Sequence, residues 1–230
     1  MTALVLSAGG MWAAWEVGAW RVLRESFHPD LIVGASAGAW NGLAISGGAS
    51  PEDLEREWMD KSMALVMRER PRRMYEKSQM LCVRFPVRAP FALTLVEVPS
   101  FRCCVVRDKD ITWRHLAASA SIPCVFPPVE IGGRRYVDGG LRGGAPVWAA
   151  EEIGATRAIA LNVLNTRLFR VLRKIPWSKG ASGALSVTSI EPSQPLGSLR
   201  DALVWNPKNV ERWIAMGERD ALSAASSVRM

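Results

Sequence analysis

Between Leu31 and Pro51 the chain carries no charged residue, and that run opens with LIVGASAGAWNG: three β-favouring apolar residues, then one serine, Ser36, framed by two alanines and two glycines. An uncharged run of this length either crosses a membrane or lies in a core. Gly34, Gly38, Gly42, Gly47 and Gly48, with Asn41 and three serines, make it too polar and too broken for a spanning helix. It is therefore expected in the core. With 230 residues at 49% hydrophobic content, the chain can bury one sizeable core, which sets the expectation of a single domain over 1–230.

Strands and helices alternate along the chain without repeats or low-complexity linkers. TALVLS (2–7) and the segment ending in DLIV (30–33) read as short buried strands, with a helix from about 12 to 25 between them. Residues 51–67 read as one helix: Ser50 is the N-cap, Pro51 takes the first position, and Leu54, Trp58, Met63 and Met67 fall at near-helical spacing. From 68 to 100 the pattern is irregular, with scattered prolines and basic residues, which marks a candidate lid or surface excursion. A strand (101–106), a helix (111–121), a hairpin of VEI and RRYV over Gly132-Gly133, a helix (146–153), a strand (157–163) and a last helix (207–226) follow. The predicted fold class is α/β, with three α/β/α layers and a mainly parallel central sheet.

The net charge is +7 and the isoelectric point about 9.7. Basic residues gather in RERPRR (68–73), at Arg84, Arg88, Arg102 and Arg107, and again at Arg167, Arg170, Arg173, Lys174 and Lys179. They form either a solvated face or a surface for something acidic. Ten tryptophans favour a lipid interface, where the ring is buried and its N–H stays wet. No nucleic-acid-binding motif appears, so nucleic acid is not an expected partner. Cys82, Cys103, Cys104 and Cys124 lack metal-type spacing. With no basic segment ahead of the first apolar run, reduced thiols in a cytoplasmic protein that meets membranes peripherally are the expectation.

Gly34-Ala35-Ser36-Ala37-Gly38 fits G-x-S-x-G between a strand and a helix-compatible run, the context in which a sharp turn exposes a nucleophilic hydroxyl. The alternative is a small-residue turn that only packs tightly. A nucleophile needs a base. His28, in a loop, and His115, on a helix, are the only histidines, and neither is well placed. Asp138, where RRYV ends and Gly139-Gly140 turn the chain, is the better candidate, although Asp-Gly also favours an ordinary turn. SAGGM (7–11) forms another glycine turn, whose backbone N–H groups at Gly9, Gly10 and Met11 could hold an oxyanion.

In this order, the three stretches resemble the patatin-like phospholipase family, and the resemblance extends to SASIPCVFPPVEIGGRRYVDGG (119–140). It implies a lipid acyl hydrolase in which Ser36 is the nucleophile and Asp138 the base, with no histidine, metal or cofactor. It also implies an acyl-serine intermediate and a lipid or other acyl-ester substrate. There are departures. The family's loop usually reads Gly-Gly-Gly-x-Arg/Lys-Gly, whereas Ala8-Gly9-Gly10-Met11-Trp12-Ala13 stands here, with Trp12 in place of the cation. Gly144, ahead of Pro146, replaces a common asparagine. The alternative function is therefore a lipid-binding or scaffold protein on the same fold with impaired turnover.

Overall fold

The structure is a computed structural model, and it describes residues 1–164 and 183–227. The basic positions Arg167, Arg170, Arg173, Lys174 and Lys179 lie outside the described residues. Among those described, eight strands form one sheet. β1 (Thr2–Leu6), β2 (Leu31–Gly34), β3 (Phe91–Val98), β7 (Arg157–Leu161) and β8 (Ser186–Ile190) run parallel in the order β3-β2-β1-β7-β8. β4 (Arg102–Arg107), β5 (Val129–Ile131) and β6 (Arg134–Asp138) add an antiparallel corner. The hairpin joining β5 to β6 turns on Gly132 and Gly133, both at positive φ.

The alternation along β1 divides the core in two. Leu4 and Leu6 face one side of the sheet and Ala3 and Val5 the other. The first side is packed by α1 (Ala14–Leu23), α2 (Ala37–Ser46), α5 (Arg72–Arg84), α6 (Trp113–Ser119) and the long α9 (Pro207–Ser227). The second is covered by α7 (Val147–Ile153), through Trp148, Ala149 and Ala150. This is the three-layer α/β arrangement expected. α1 and α9 cross where a Cβ on Gly18 would lie 1.9 Å from the Ile214 carbonyl oxygen and one on Gly217 would lie 2.0 Å from that of Trp15.

Two expectations are corrected. The single helix over 51–67 is broken into α3 (Pro51–Met59) and α4 (Met63–Arg68). Asp60 turns extended between them and its carboxylate accepts the Ser62 N–H at 2.6 Å, a local bond that competes with helix continuation. The irregular reading of 68–100 is also overturned, since that stretch holds α5 and β3. β3 is a mostly apolar run, interrupted by Thr94 and Glu97, with the prolines outside it. α5 buries Met74, Lys77, Ser78 and Leu81, a helical stripe obscured in the sequence by its lysine. Lys77 Nζ is neutralised by Glu57 of α3 at 2.5 Å.

Candidate active site

β2 ends at Gly34 and α2 starts at Ala37, so Ser36 must reverse the chain between them. It does so at φ 56°, ψ −129°, a conformation that side chains rarely adopt and that concentrates at functional turns. The flanking glycines are needed for close approach: a Cβ on Gly34 would sit 2.5 Å from the Gly38 carbonyl oxygen, and one on Gly38 would sit 2.4 Å from that of Ser7.

Asp138 reaches the same turn from the opposite direction. One edge of β3 is occupied by β4 from Ala92 to Glu97, so β2 and β6 must share the other. β2 pairs along it as far as Leu93, opposite Gly34, while β6 descends antiparallel and stops opposite Leu95 with Asp138. Two strand ends thus meet head to head, one residue of β3 apart. The expectation that Asp138 sits at the end of a strand holds, but that strand is antiparallel and ends facing the parallel set.

The Ser36 hydroxyl donates to Asp138 Oδ2 at 2.6 Å, and the Gly140 N–H donates to Oδ1 at 2.7 Å. Burial pushes the Asp138 carboxyl up to about 7, against the lowering effect of those two bonds. A carboxylate so placed gains or loses its proton near neutrality, which suits general base work. Ser119 had no assigned role in the sequence reading, although it opens the SASIP stretch. Its hydroxyl accepts the Ser36 N–H at 2.9 Å and donates to the carbonyl of Thr94, the intervening β3 residue, at 3.0 Å. The turn is thereby tied to the strand that aligns both halves.

Gly9 precedes one turn of tight helix, Gly10–Ala13. A helix start has no acceptor of its own for its first N–H groups, which leaves those of Gly10 and Met11 available. Gly10 adopts φ +56°, and a Cβ there would lie 2.2 Å from the Ala202 carbonyl oxygen. The loop is held from below by the Ala8 N–H, which donates to the Gly144 carbonyl at 2.8 Å. The histidines are elsewhere in role: His28 is exposed, and His115 Nδ1 accepts the Thr112 N–H at 3.1 Å, capping α6. Among the described residues, no group of three His, Cys, Asp or Glu side chains could hold a metal ion.

A sequence model of the patatin-like phospholipases matches residues 4–93 and 85–151, a span that includes Ser36, Asp138 and the glycine loop. The chain belongs to the patatin-like phospholipase family. That family is one of lipid hydrolases. Among solved structures, VipD from Legionella pneumophila is similar in fold, with a TM-score of 0.57 at 10% identity over 98% of this chain and 67% of VipD. The type III effector protein ExoU gives a TM-score of 0.47 at 12% identity over 98% of this chain and 52% of its own. A search of curated proteins returned no match.

Set against the family's loop, Trp12 is a structural replacement rather than a substitute at the site. It is 2% exposed and packed in the core. Gly144 likewise acts through its backbone, which needs no asparagine side chain. The site opens into a cleft lined by Gly10, Met11, Ser36, Trp40, Trp58 and Phe126, with Met63, Met67 and Met74 from the α4–α5 hairpin and Ala202 and Leu203 from α8 (Leu199–Leu203). Among the described residues of that lining, Ser36 carries the only hydroxyl. No helix among the described residues is long and apolar enough to cross a membrane.

Proposed function

We propose that this family member hydrolyses lipid acyl esters through a Ser36–Asp138 dyad. The observation that carries the reading is the 2.6 Å bond to a buried carboxylate from the hydroxyl of Ser36, which lines an apolar cleft. Ser36 Oγ attacks the ester carbonyl carbon as its proton passes to Asp138. The oxygen that gains charge is held by backbone N–H groups of the Gly9-Gly10-Met11 loop. Collapse expels the alcohol, which takes the proton from Asp138 and leaves acyl-Ser36. Water then attacks with Asp138 as its base, releasing the acid and restoring Ser36. The methionine- and tryptophan-lined cleft fits a flexible acyl chain.

The reading treats residues 1–230 as one patatin-like domain, in which α4 and the first turns of α5 replace 68–100 as the candidate lid. The walls of the cleft continue outward as exposed Leu199 and Val204 on the α8 side and as exposed Arg68 and Arg70 on the α4 side. Arg70 stacks over Phe126 of the cleft wall at 6.0 Å, and Arg200 is exposed beside Leu199. This apolar, basic rim matches the surface of an anionic membrane. Flotation with phosphatidylcholine vesicles containing phosphatidylglycerol should carry the protein, less so as salt rises. Equal flotation with neutral vesicles would remove the basic residues from the account.

A fluorophosphonate probe should label wild type and not Ser36→Ala, and both Ser36→Ala and Asp138→Asn should lose hydrolysis of a chromogenic short-chain ester while keeping their circular dichroism. An unlabelled wild type favours the second reading, a lipid-binding protein without turnover, for which the absent loop cation is the supporting observation. A histidine variant that falls to the Ser36→Ala level while Asp138→Asn stays active would displace Asp138 as the base.

A further inference from the structure

Glu16 is a buried acid that the dyad does not use. It lies on α1, three residues after the end of the Gly10–Ala13 turn, and is 1% exposed. Its Oε1 accepts from the Ser7 N–H at 2.9 Å and from the Ser7 hydroxyl at 3.3 Å, and its Oε2 accepts from the Asn41 side-chain amide at 2.9 Å. Ser7 is the residue before the loop; Asn41 is on α2, the helix that begins at the Ser36 turn. The bonds continue outward. The Ser7 hydroxyl accepts the Val163 N–H at 3.0 Å, the Asn41 amide also donates to the Ala13 carbonyl at 3.0 Å, and Asn41 Oδ1 accepts the indole N–H of the cleft-wall Trp58 at 2.8 Å.

All three groups facing Glu16 donate to it, and no cation is among them. Only an ionised carboxylate accepts at both of its ends; a glutamine in its place would turn an N–H₂ toward another donor, and below about pH 8 the acid turns its own O–H there. Burial pushes Glu16 up to about 8 in spite of those donors, so the fold carries a desolvation cost that an apolar residue would avoid. A costly group that closes the ring from Ser7 to Glu16, and fastens that ring to the nucleophile's helix, has a positional consequence. The loop's N–H groups and Ser36 belong to different βα units, and within this network Glu16 and Asn41 provide the side-chain link between them.

We propose that Glu16 is a positioning residue that sets the donor loop against Ser36, through Ser7 on one side and Asn41 on the other. The inference rests on the hydrolase reading above. It requires no contact between Glu16 and substrate. Displacing oxyanion donors lowers kcat, whereas the acyl cleft, and with it KM, is left in place.

The experiment measures kcat and KM on a soluble short-chain ester at pH 9, where Glu16 is ionised, for wild type, Ser36→Ala, Glu16→Gln, Asn41→Asp and the double variant E16Q/N41D, with thermal melting for each. Glu16→Gln should lower kcat by about 10- to 100-fold with KM within about twofold. Asn41→Asp, which opposes two carboxyl groups, should be worse. In the double variant the new amide donates to the new carboxylate, which still accepts from Trp58, while its own carbonyl still accepts from Ser7. That variant should recover at least about tenfold relative to Asn41→Asp, short of wild type because the Ala13 carbonyl loses its donor. A residue that only holds the core together would lower the melting temperature and leave kcat per folded molecule unchanged. A Ser36-dependent enzyme whose kcat is indifferent to Glu16→Gln, or whose double variant is no better than Asn41→Asp, overturns this inference alone. A wild type without Ser36-dependent turnover overturns the hydrolase reading and this one with it.

Discussion

Asp138 and Glu16 are both buried carboxyls next to the Ser36 turn, at 5% and 1% exposure, and burial lifts both, to about 7 and about 8. Their partners differ. Asp138 accepts from one fixed backbone N–H and from one hydroxyl whose proton can leave, that of Ser36 in the lining of an apolar cleft. Glu16 accepts from Ser7 and Asn41, side chains that are themselves tied to Val163, Ala13 and Trp58, so its surroundings cannot rearrange without moving several elements. Similar burial thus produces a group ready to exchange a proton in one place and a rigid tie in the other. The difference lies in what the donors are fastened to.

Turnover separates them most. Asp138→Asn should lower ester hydrolysis by about 10³-fold or more, because an amide keeps the shape but cannot take the proton, whereas Glu16→Gln keeps measurable rate. In wild type the rate should fall about tenfold per pH unit below 7 as Asp138 takes up a proton. A rate flat from pH 5 to 8 would show that the chemistry does not pass through this carboxylate.

Next comes the loop position where the family carries a cation. Trp12 lies in the core beside the donor loop, so Trp12→Arg buries an unpaired charge and should destabilise by about 3 to 5 kcal/mol. Urea unfolding measures this. A stable variant with faster turnover would mean that the side chain reaches the site after all, and the loop would then be more adaptable than the Glu16 network allows.

Stability should reverse the ranking of the two carboxyls. A carboxyl lifted from 3.8 to about 7 by folding costs the native state up to ~4 kcal/mol once it is ionised. The native form binds its proton more tightly than the unfolded chain, so this cost is absent below about pH 4, grows through the interval, and is complete above about pH 7. Asp138→Asn should therefore raise the melting temperature at pH 8 and change it little at pH 4, while losing activity. Glu16→Gln should give no such gain, since its amide meets a donor. Equal gains for both substitutions would erase the distinction drawn here.

The smallest effects belong to the histidines. His115→Ala removes the α6 cap and should cost about 1 kcal/mol or less, and His28→Ala nothing measurable, with turnover kept in both. A chelator should likewise leave the rate unchanged.

Local rules decide what a short stretch can become, and they were readable wherever the pattern stayed local. The strand–turn–helix around Ser36, the Gly132-Gly133 hairpin ahead of Asp138 and the Ser50–Pro51 helix start all depend on neighbours within a few residues, so residue type and spacing alone specify them. The sequence therefore determined the fold class and the stretches from which a site could be built. α5 escaped because Lys77 occupies a core-facing position that only its partner Glu57, 20 residues away, makes tolerable. β3 escaped because a buried strand has no alternation to read. Only the tertiary structure decided that β2 and β6 meet end to end, because that depends on β4 filling the other edge of β3. It likewise decided that Trp12 packs inward and that Glu16, a lone acid in an apolar helix, joins Ser7 to Asn41. Pairing along an edge and satisfaction of a buried polar group are set by atoms that the chain brings together from distant positions, and residue spacing carries no record of them.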